Sequence, residues 1–345
     1  MTWPVVKVAS VISGTGMSLP ERVVTNEHFA KYLETSDEWI RDRTGIRERR
    51  WVESGVTVSE LAEPAARQAI AQAGLEPKDV DAIVFATVTP DNIFPSSACC
   101  LQRRLGMNRG FAFDVNAVCS GFLYALVTAD SLIARGVASN VLVVGADIFS
   151  KIIDPQDRTT CILFGDGAGA VMLTSASSST QSGADGNTLS GRADVTRGIY
   201  GGMLAADGNF GDILRAPGKA GESSSDPNAP KYLTMAGKEV FKLAVRYLGE
   251  ISEQLLKKYG IPPEAIDYFI SHQANERILL AMARHLNVPE EKVLVNVDRF
   301  GNTSAASVPI LLAEASAQGK IKRGDLLMLS AFGGGITWGA ALLRF

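Results

Sequence analysis

Only three histidines occur among the 345 residues, His28, His272 and His285. Any catalytic imidazole or histidine metal ligand therefore comes from a short list. Cysteine is nearly as scarce, with Cys99, Cys100, Cys119 and Cys161. Their spacing matches no zinc pattern, and the adjacent pair is badly placed to bridge to itself. Reduced thiols in a cytoplasmic protein are expected. No apolar run approaches the roughly 18 residues of a membrane span, and the N-terminus reads without a charged leader and apolar core. Neither a membrane location nor a signal peptide is expected. The net charge is −3 with no basic stripe, which argues against nucleic acid as a partner. Hydrophobic residues make up 46% of the chain and charged residues 21%, the balance of a globular protein with one large or two medium domains.

The most informative stretch runs F-D-V-N-A-V-C-S-G-F from Phe113 to Phe122. A short apolar strand ends, small residues follow, and Phe122, Ala125, Leu126, Ala129, Leu132 and Ile133 recur as on one helix face. Cys119 is thus expected at a strand-to-helix turn. Free N–H groups and the helix dipole at such a turn stabilise a thiolate. A buried, inert cysteine is the competing reading.

Along the rest of the chain, a strand is expected over Val5–Ile12, ending in Gly14 and Gly16. Helices are expected near Thr25–Leu33, over Thr57–Ala73 with Gly74 ending it, and near Ser96–Leu105. Strands are expected over Asp81–Thr87, Phe111–Val115 and Val141–Val144. Cys161–Phe164 and Ala168–Leu173 read as strands flanking a tight turn, G-D-G-A-G, which lacks the lysine and helix of a phosphate loop. The stretch Thr35–Arg50 is dense in arginine around Trp39. It reads equally as a solvated surface or as a site for an anionic ligand bearing a flat ring. Thr174–Gly191, Ser-rich over Ser175–Ser190, reads as a surface insertion or linker.

The second half echoes the first. G-L-E-P-K-D-V-D-A-I begins at Gly74 and G-I-P-P-E-A-I-D-Y-F at Gly260; V-L-V-V-G-A begins at Val141 and L-M-L-S-A-F at Leu327; N-A-V-C-S-G-F begins at Asn116 and N-T-S-A-A-S-V at Asn302. All three pairs share one offset, 260 − 74 = 186. An internal duplication into two α/β halves is the simplest account. Under this offset Cys119 corresponds to Ala305 and His272 to Ala86, so each half contributes a different reactive group to one possible central site.

His272 follows the apolar strand Ile266–Ser271 in I-S-H-Q-A-N-E-R and suits a ligand-facing loop, against the common alternative of a satisfied core histidine. Asn302, in G-N-T-S-A-A-S-V-P, can cap the helix that follows or donate to a developing oxyanion. Gly333–Gly335 let backbone N–H groups approach a substrate oxygen, or simply make a tight turn.

D-V-N-A-V-C-S-G-F, G-D-G-A-G-A-V, H-Q-A-N-E-R-I, G-N-T-S-A-A-S-V-P and A-F-G-G-G-I-T-W-G together closely resemble the β-ketoacyl-acyl-carrier-protein synthase III family, the initiating condensing enzymes of type II fatty acid synthesis. The resemblance runs nearly end to end, with the motifs in family order. It implies an α/β thiolase fold with two duplicated halves in five α/β/α/β/α layers, divided here as residues 1–180, carrying the cysteine, and 181–345, carrying the histidine and asparagine. It implies a homodimer that condenses acyl-CoA, most simply acetyl-CoA, with malonyl-acyl-carrier protein, and needs no metal or redox cofactor. Cys119 would be the acyl-accepting nucleophile, and His272 and Asn302 would stabilise the enolate formed by decarboxylation. Backbone N–H groups of Cys119 and Gly334 would form the oxyanion hole. Trp39, Arg43 and Arg158 match positions that hold CoA adenine and phosphates, and Asn275 a position beside the pantetheine arm. Phe332 and Phe94 match acyl-pocket positions, Phe94 donated by a second copy. Lys242, Arg277 and Arg284 would form a local basic patch for the acidic carrier protein.

Two features depart from the family pattern. The Ser-rich segment is longer than expected, and Asn116 and Val118 stand where alanines are common. A ketosynthase for longer or branched primers, a plain acyltransferase, and a non-catalytic acyl-binding subunit are the competing readings. A degradative thiolase would want a second cysteine near the C-terminal glycines, and Ala331–Gly339 contains none.

Overall fold

The computed structural model describes residues 8–176, 197–217 and 231–345. Its strands in chain order are β1 (Ser10–Ser18), β2 (Val23–Thr25), β3 (Glu48–Arg50), β4 (Ala82–Ala86), β5 (Phe111–Val115), β6 (Asn140–Ile148), β7 (Asp166–Ser175), β8 (Gly198–Ala206), β9 (Leu214–Arg215), β10 (Thr234–Met235), β11 (Tyr268–Ser271), β12 (Leu326–Gly333) and β13 (Thr337–Arg344). The helices are α1 (Asn26–Ala30), α2 (Asp37–Thr44), α3 (Val58–Gln72), α4 (Ser97–Arg104), α5 (Gly121–Ala134), α6 (Gly237–Tyr259), α7 (Glu276–His285), α8 (Val297–Phe300) and α9 (Ser307–Ala317).

One sheet has the order β1-β7-β6-β4-β5 and a second the order β8-β13-β12-β11. The duplication is visible strand by strand. β4 pairs with β6 in parallel, as β11 does with β12, and β6–β7–β1 are successively antiparallel, as are β12–β13–β8. β5 has only a vestige in the second half, an isolated parallel bridge from Phe269 to Val293. All five residues of β4 are buried, the pattern of a strand covered on both faces. α5 and α9 lie between the sheets in one apolar core, α3 and α4 cover the outer face of the first sheet, and α6 and α7 cover that of the second. The layers are therefore α/β/α/β/α. The expected division at residue 180 lies outside the described residues, as does most of the Ser-rich segment; β7 ends at its first residue, Ser175.

Local signals set most boundaries. Thr57 caps α3, with its hydroxyl accepting from Glu60 N at 3.4 Å, and Gly74 follows at φ 71°. Two expectations are corrected. Of the strand expected over Val5–Ile12, residues 5–7 lie outside the described residues; β1 opens at Ser10 and runs on through Gly14 and Gly16, where a side chain would strike the backbone of α3. The stretch 161–163 is a turn, and G-D-G-A-G opens β7 rather than linking two strands. The glycines there admit α9: a Cβ on Gly169 would stand 2.6 Å from the Ile310 nitrogen.

Candidate active site

Cys119 sits in a single 3-10 turn, Val118–Ser120, directly before α5. The matching turn of the second half is Ser304–Ala306, directly before α9. Val118 and Ser304, 186 residues apart, both hold a left-handed backbone, at φ 49° and 51°. That conformation is uncommon outside glycine and strained for a β-branched valine. The first turn, the ends of β11 and β12, and Asn302 just before the second turn line a cavity of about 450 Å³. Cys119, His272, Asn302, Asn275, Phe332 and Gly334 all line it.

The Cys119 side chain is 4% exposed. Burial pushes its thiol up to about 12, and the charge of Asp147 adds to this, while the Ser304 hydroxyl and the Cys119 backbone amide oppose it. The resting thiolate expected from the helix terminus is thus not favoured; loss of solvent outweighs the dipole. Asp147 is fully buried on β6 and pushed up to about 6 by burial, against donors that include Val88 N at 2.8 Å, Ala305 N at 3.2 Å and Thr87 Oγ1 at 3.1 Å. Its counterpart under the repeat is Gly333. There the missing side chain leaves room at the Cys119 amide: a Cβ on Gly333 would lie 2.7 Å from Cys119 N.

His272 follows β11, its N–H donating to Ser330 O at 2.8 Å. Burial drives it down to about 3, so the imidazole is neutral near pH 7. Its Nδ1 lies 2.7 Å from Ser307 Oγ. Asn302 is pinned by its own backbone, donating to Leu163 O at 2.8 Å and accepting from Gly165 N at 3.0 Å. Its side-chain Oδ1 accepts from Ser304 N at 2.9 Å. Asn302 is thus not the cap of a following helix, whose N-cap positions are Thr303 and Ala306; its oxygen closes a turn onto Ser304 N, and the amide nitrogen is the end left for the cavity. Two neutral groups, an imidazole and a carboxamide, share the cavity with a thiol.

Phe332 is 4% exposed and stacks on Tyr247, with ring centroids 6.4 Å apart. Two guanidinium groups pack on Trp39, Arg43 at 4.2 Å and Arg158 at 4.8 Å from its ring centre. This trio does not line the cavity, but Asn275 Nδ2, whose residue does, donates to Arg43 O at 3.0 Å. Lys242 on α6 and Arg277 and Arg284 on α7 are exposed on packed neighbouring helices; Arg284 also pairs with Glu290 at 3.4 Å. Phe94 is 84% exposed and lies away from the cavity lining. Sequence reading missed Asp147, Ser304, Ser307 and the apolar wall from Val240, Phe241, Ala244 and Leu248 of α6. The repeat held a signal for the first three, since each lies beside or opposite a position already singled out.

Residues 113–190 match the family model for 3-oxoacyl-[acyl-carrier-protein] synthase III, and residues 256–345 match its C-terminal model. The chain is 50% identical over 338 residues to the β-ketoacyl-[acyl-carrier-protein] synthase III of Brucella melitensis, covering 98% of this chain and 100% of that protein. The crystal structure of 3-oxoacyl-[acyl-carrier-protein] synthase III from Aquifex aeolicus superposes with a TM-score of 0.86 at 45% identity, covering 97% of this chain and 100% of that one. The priming β-ketosynthase of the R1128 polyketide pathway superposes with a TM-score of 0.87 at 30% identity, covering 99% and 98%. With its thiolase fold, its thiol–imidazole–carboxamide cavity and this likeness along its whole length, the chain belongs to the β-ketoacyl-[acyl-carrier-protein] synthase III family.

Proposed function

We propose that the protein joins a short acyl-CoA primer, acetyl-CoA foremost, to malonyl-acyl-carrier protein by decarboxylative Claisen condensation, initiating fatty acid synthesis in the cytoplasm. The observation that carries this reading is the convergence of Cys119 from one half with His272 and Asn302 from the other on one cavity.

In the first step Cys119 loses its proton and its sulfur attacks the acyl-CoA carbonyl. The bond to CoA sulfur breaks, and CoA departs after taking a proton from solvent. The tetrahedral oxyanion is held by the N–H groups of Cys119 and Gly334. In the second step the malonyl thioester carbonyl accepts hydrogen bonds from His272 and Asn302. Loss of CO₂ leaves an enolate that these neutral donors stabilise without simply protonating it. The carbanion attacks the acyl-enzyme carbonyl, the carbon–carbon bond forms, and the Cys119 thiolate leaves and regains its proton. No step calls for a metal or redox cofactor.

The clustering of Arg43 and Arg158 on the Trp39 ring supports a role for these residues with the adenine and phosphates of CoA, and Asn275 would guide the pantetheine arm. Phe332 would close the acyl pocket and Phe94 would enter it from a second copy. Lys242, Arg277 and Arg284 would receive the carrier protein. The apolar wall that Val240, Phe241, Ala244 and Leu248 lend to the cavity supports a second reading, in which the primer is longer or branched.

Intact-protein mass spectrometry with a panel of acyl-CoAs, followed by malonyl-acyl-carrier protein, tests both. A mass gain on Cys119, discharged as 3-ketoacyl product, is the expected result, and the best-loading acyl chain identifies the primer. Acylation without a ketoacyl product would overturn the condensing role in favour of plain acyl transfer.

A further inference from the structure

The internal repeat places the end of β11 and the start of α9 opposite the end of β4 and the start of α5. His272 corresponds to Ala86, and Ser307 to Gly121, each 186 residues apart. The two pairs make the same contact. In the first half a Cβ on Gly121 would stand 3.1 Å from the Ala86 Cβ, so strand end and helix start pack with almost nothing between them. In the second half the same positions carry an imidazole and a hydroxyl, joined at 2.7 Å between Nδ1 and Oγ. The half that bears the histidine also bears the side chain that, among the described residues, reaches its inner nitrogen.

The hydrogen bonds around Ser307 decide which way that contact runs. Its Oγ accepts from the Gln273 N–H at 3.3 Å. Ser307 is 1% exposed and His272 3%, so solvent offers neither group a substitute partner. A serine hydroxyl has one proton to give, and Nδ1 is the acceptor within reach. With Ser307 donating, the ring carries its proton on Nε2. The opposite tautomer would leave the serine proton without this acceptor and present a bare lone pair at Nε2.

We propose that Ser307 is a positioning residue that fixes His272 as the Nε2–H tautomer, so that the imidazole meets the malonyl thioester carbonyl as a donor. Gln273 completes the arrangement. Its side chain donates to Ser271 O at 2.8 Å and Leu294 O at 3.2 Å and accepts from Asn296 N at 2.9 Å, so the amide that holds Ser307 Oγ is itself fixed. Asn302 is oriented in the same manner: its oxygen is occupied by Ser304 N, which turns its nitrogen outward as the second donor. The segment 302–307 thus aims both enolate donors, one through a backbone amide and one through a hydroxyl. Second-sphere partners of this kind set the tautomer and orientation of functional histidines generally.

The inference rests on the condensing role for His272, and its test separates the two. With only three histidines, ¹⁵N-histidine labelling gives a spectrum that His28→Gln, His285→Gln and His272→Gln assign. The wild-type protein is expected to show His272 with a protonated Nε2 and an unprotonated, hydrogen-bonded Nδ1. Ser307→Ala is expected to shift that Nδ1 signal and mix the tautomers, and Ser307→Thr, which keeps the hydroxyl, to restore them. In parallel, kcat for malonyl-acyl-carrier protein decarboxylation should fall about 10- to 100-fold in Ser307→Ala, less than the roughly 100- to 1000-fold for losing an oxyanion donor outright. Acylation of Cys119 should fall far less. A wild-type Nδ1–H tautomer, or a Ser307→Ala spectrum unchanged at His272, overturns the proposal even if the Ser307→Ala kinetics are poor. Absence of decarboxylation in the wild type would overturn the condensing role instead, and the spectrum would still decide the tautomer.

Discussion

At the scale of single residues, burial governs the chemistry of the site. Cys119→Ser is expected to abolish acylation, since a hydroxyl is a far weaker nucleophile than a thiol. Intact mass after acetyl-CoA addition checks this. With the Cys119 thiol pushed up to about 12, its alkylation by a neutral reagent should keep rising with pH through the alkaline range and show no plateau near pH 9. Gly333 carries a sharper expectation. Gly333→Ala puts a methyl group 2.7 Å from Cys119 N and 3.1 Å from Ser120 N. It should cut the single-turnover acylation rate by about 100-fold or more, the scale of a lost oxyanion donor. For His272 the linkage runs through acid. Its folded-state pKa lies at about 3, below the ordinary 6.5, so from about pH 6.5 down to about pH 3 the unfolded chain takes up a proton that the folded one refuses. Stability is lost over that window. His272→Gln should therefore lose less Tm on acidification than the wild type, measured side by side at pH 7 and pH 4.

At the scale of elements, the sequence was most readable where a pattern is local. α3 and α4 end within a residue or two of their expected bounds, because caps and apolar spacing are written in adjacent residues. The repeat offset of 186 also set Cys119 against Ala305 and His272 against Ala86, and the two turns it relates share even their left-handed backbone. What was not legible depends on partners far along the chain. Gly14 and Gly16 read as a strand end because nothing local reveals that α3 lies against them. The motif G-D-G-A-G read as a turn for the same reason, with α9 as the unseen neighbour. Asp147 gave no signal of its own, since its role is to receive an amide from residue 305. Arg49 belongs to this class. It stood in an arginine-dense stretch that read as surface or ligand site, yet it is fully buried and joins β3 to the loop before β7. Its guanidinium donates to Val24 O at 3.0 Å, Asn26 Oδ1 at 2.9 Å and Ile162 O at 2.5 Å. Arg49→Met fills the space but strands these acceptors, at about 1–3 kcal/mol each. A loss of several kcal/mol in urea unfolding, with the m-value unchanged, is the expected outcome.

At the scale of the whole molecule, the charge and the apolar surface are both unevenly placed. A net charge of −3 coexists with exposed Lys242, Arg277 and Arg284 on α6 and α7, which together can draw an acidic partner to that face. On another face, Ile93 is 71% and Phe94 84% exposed, and β5 forms an open edge of its sheet with Phe111 stacked on Phe113. A free edge strand beside exposed aromatic and aliphatic side chains is the kind of surface that a chain alone in solution rarely keeps. A second copy would cover all of it at once and would bring Phe94 toward a neighbour's cavity, the position the family resemblance implies for it. The chain is therefore expected to run at about twice 36.7 kDa by light scattering. Phe94→Asp tests the two halves of this expectation separately. If Phe94 serves the interface alone, the variant should dissociate while the remaining dimer acylates normally. If it also enters the partner's acyl pocket, acylation should change its chain-length preference even at protein concentrations where the dimer is intact. A monomeric wild-type protein that loads acetyl-CoA at full rate would remove Phe94 from the site altogether.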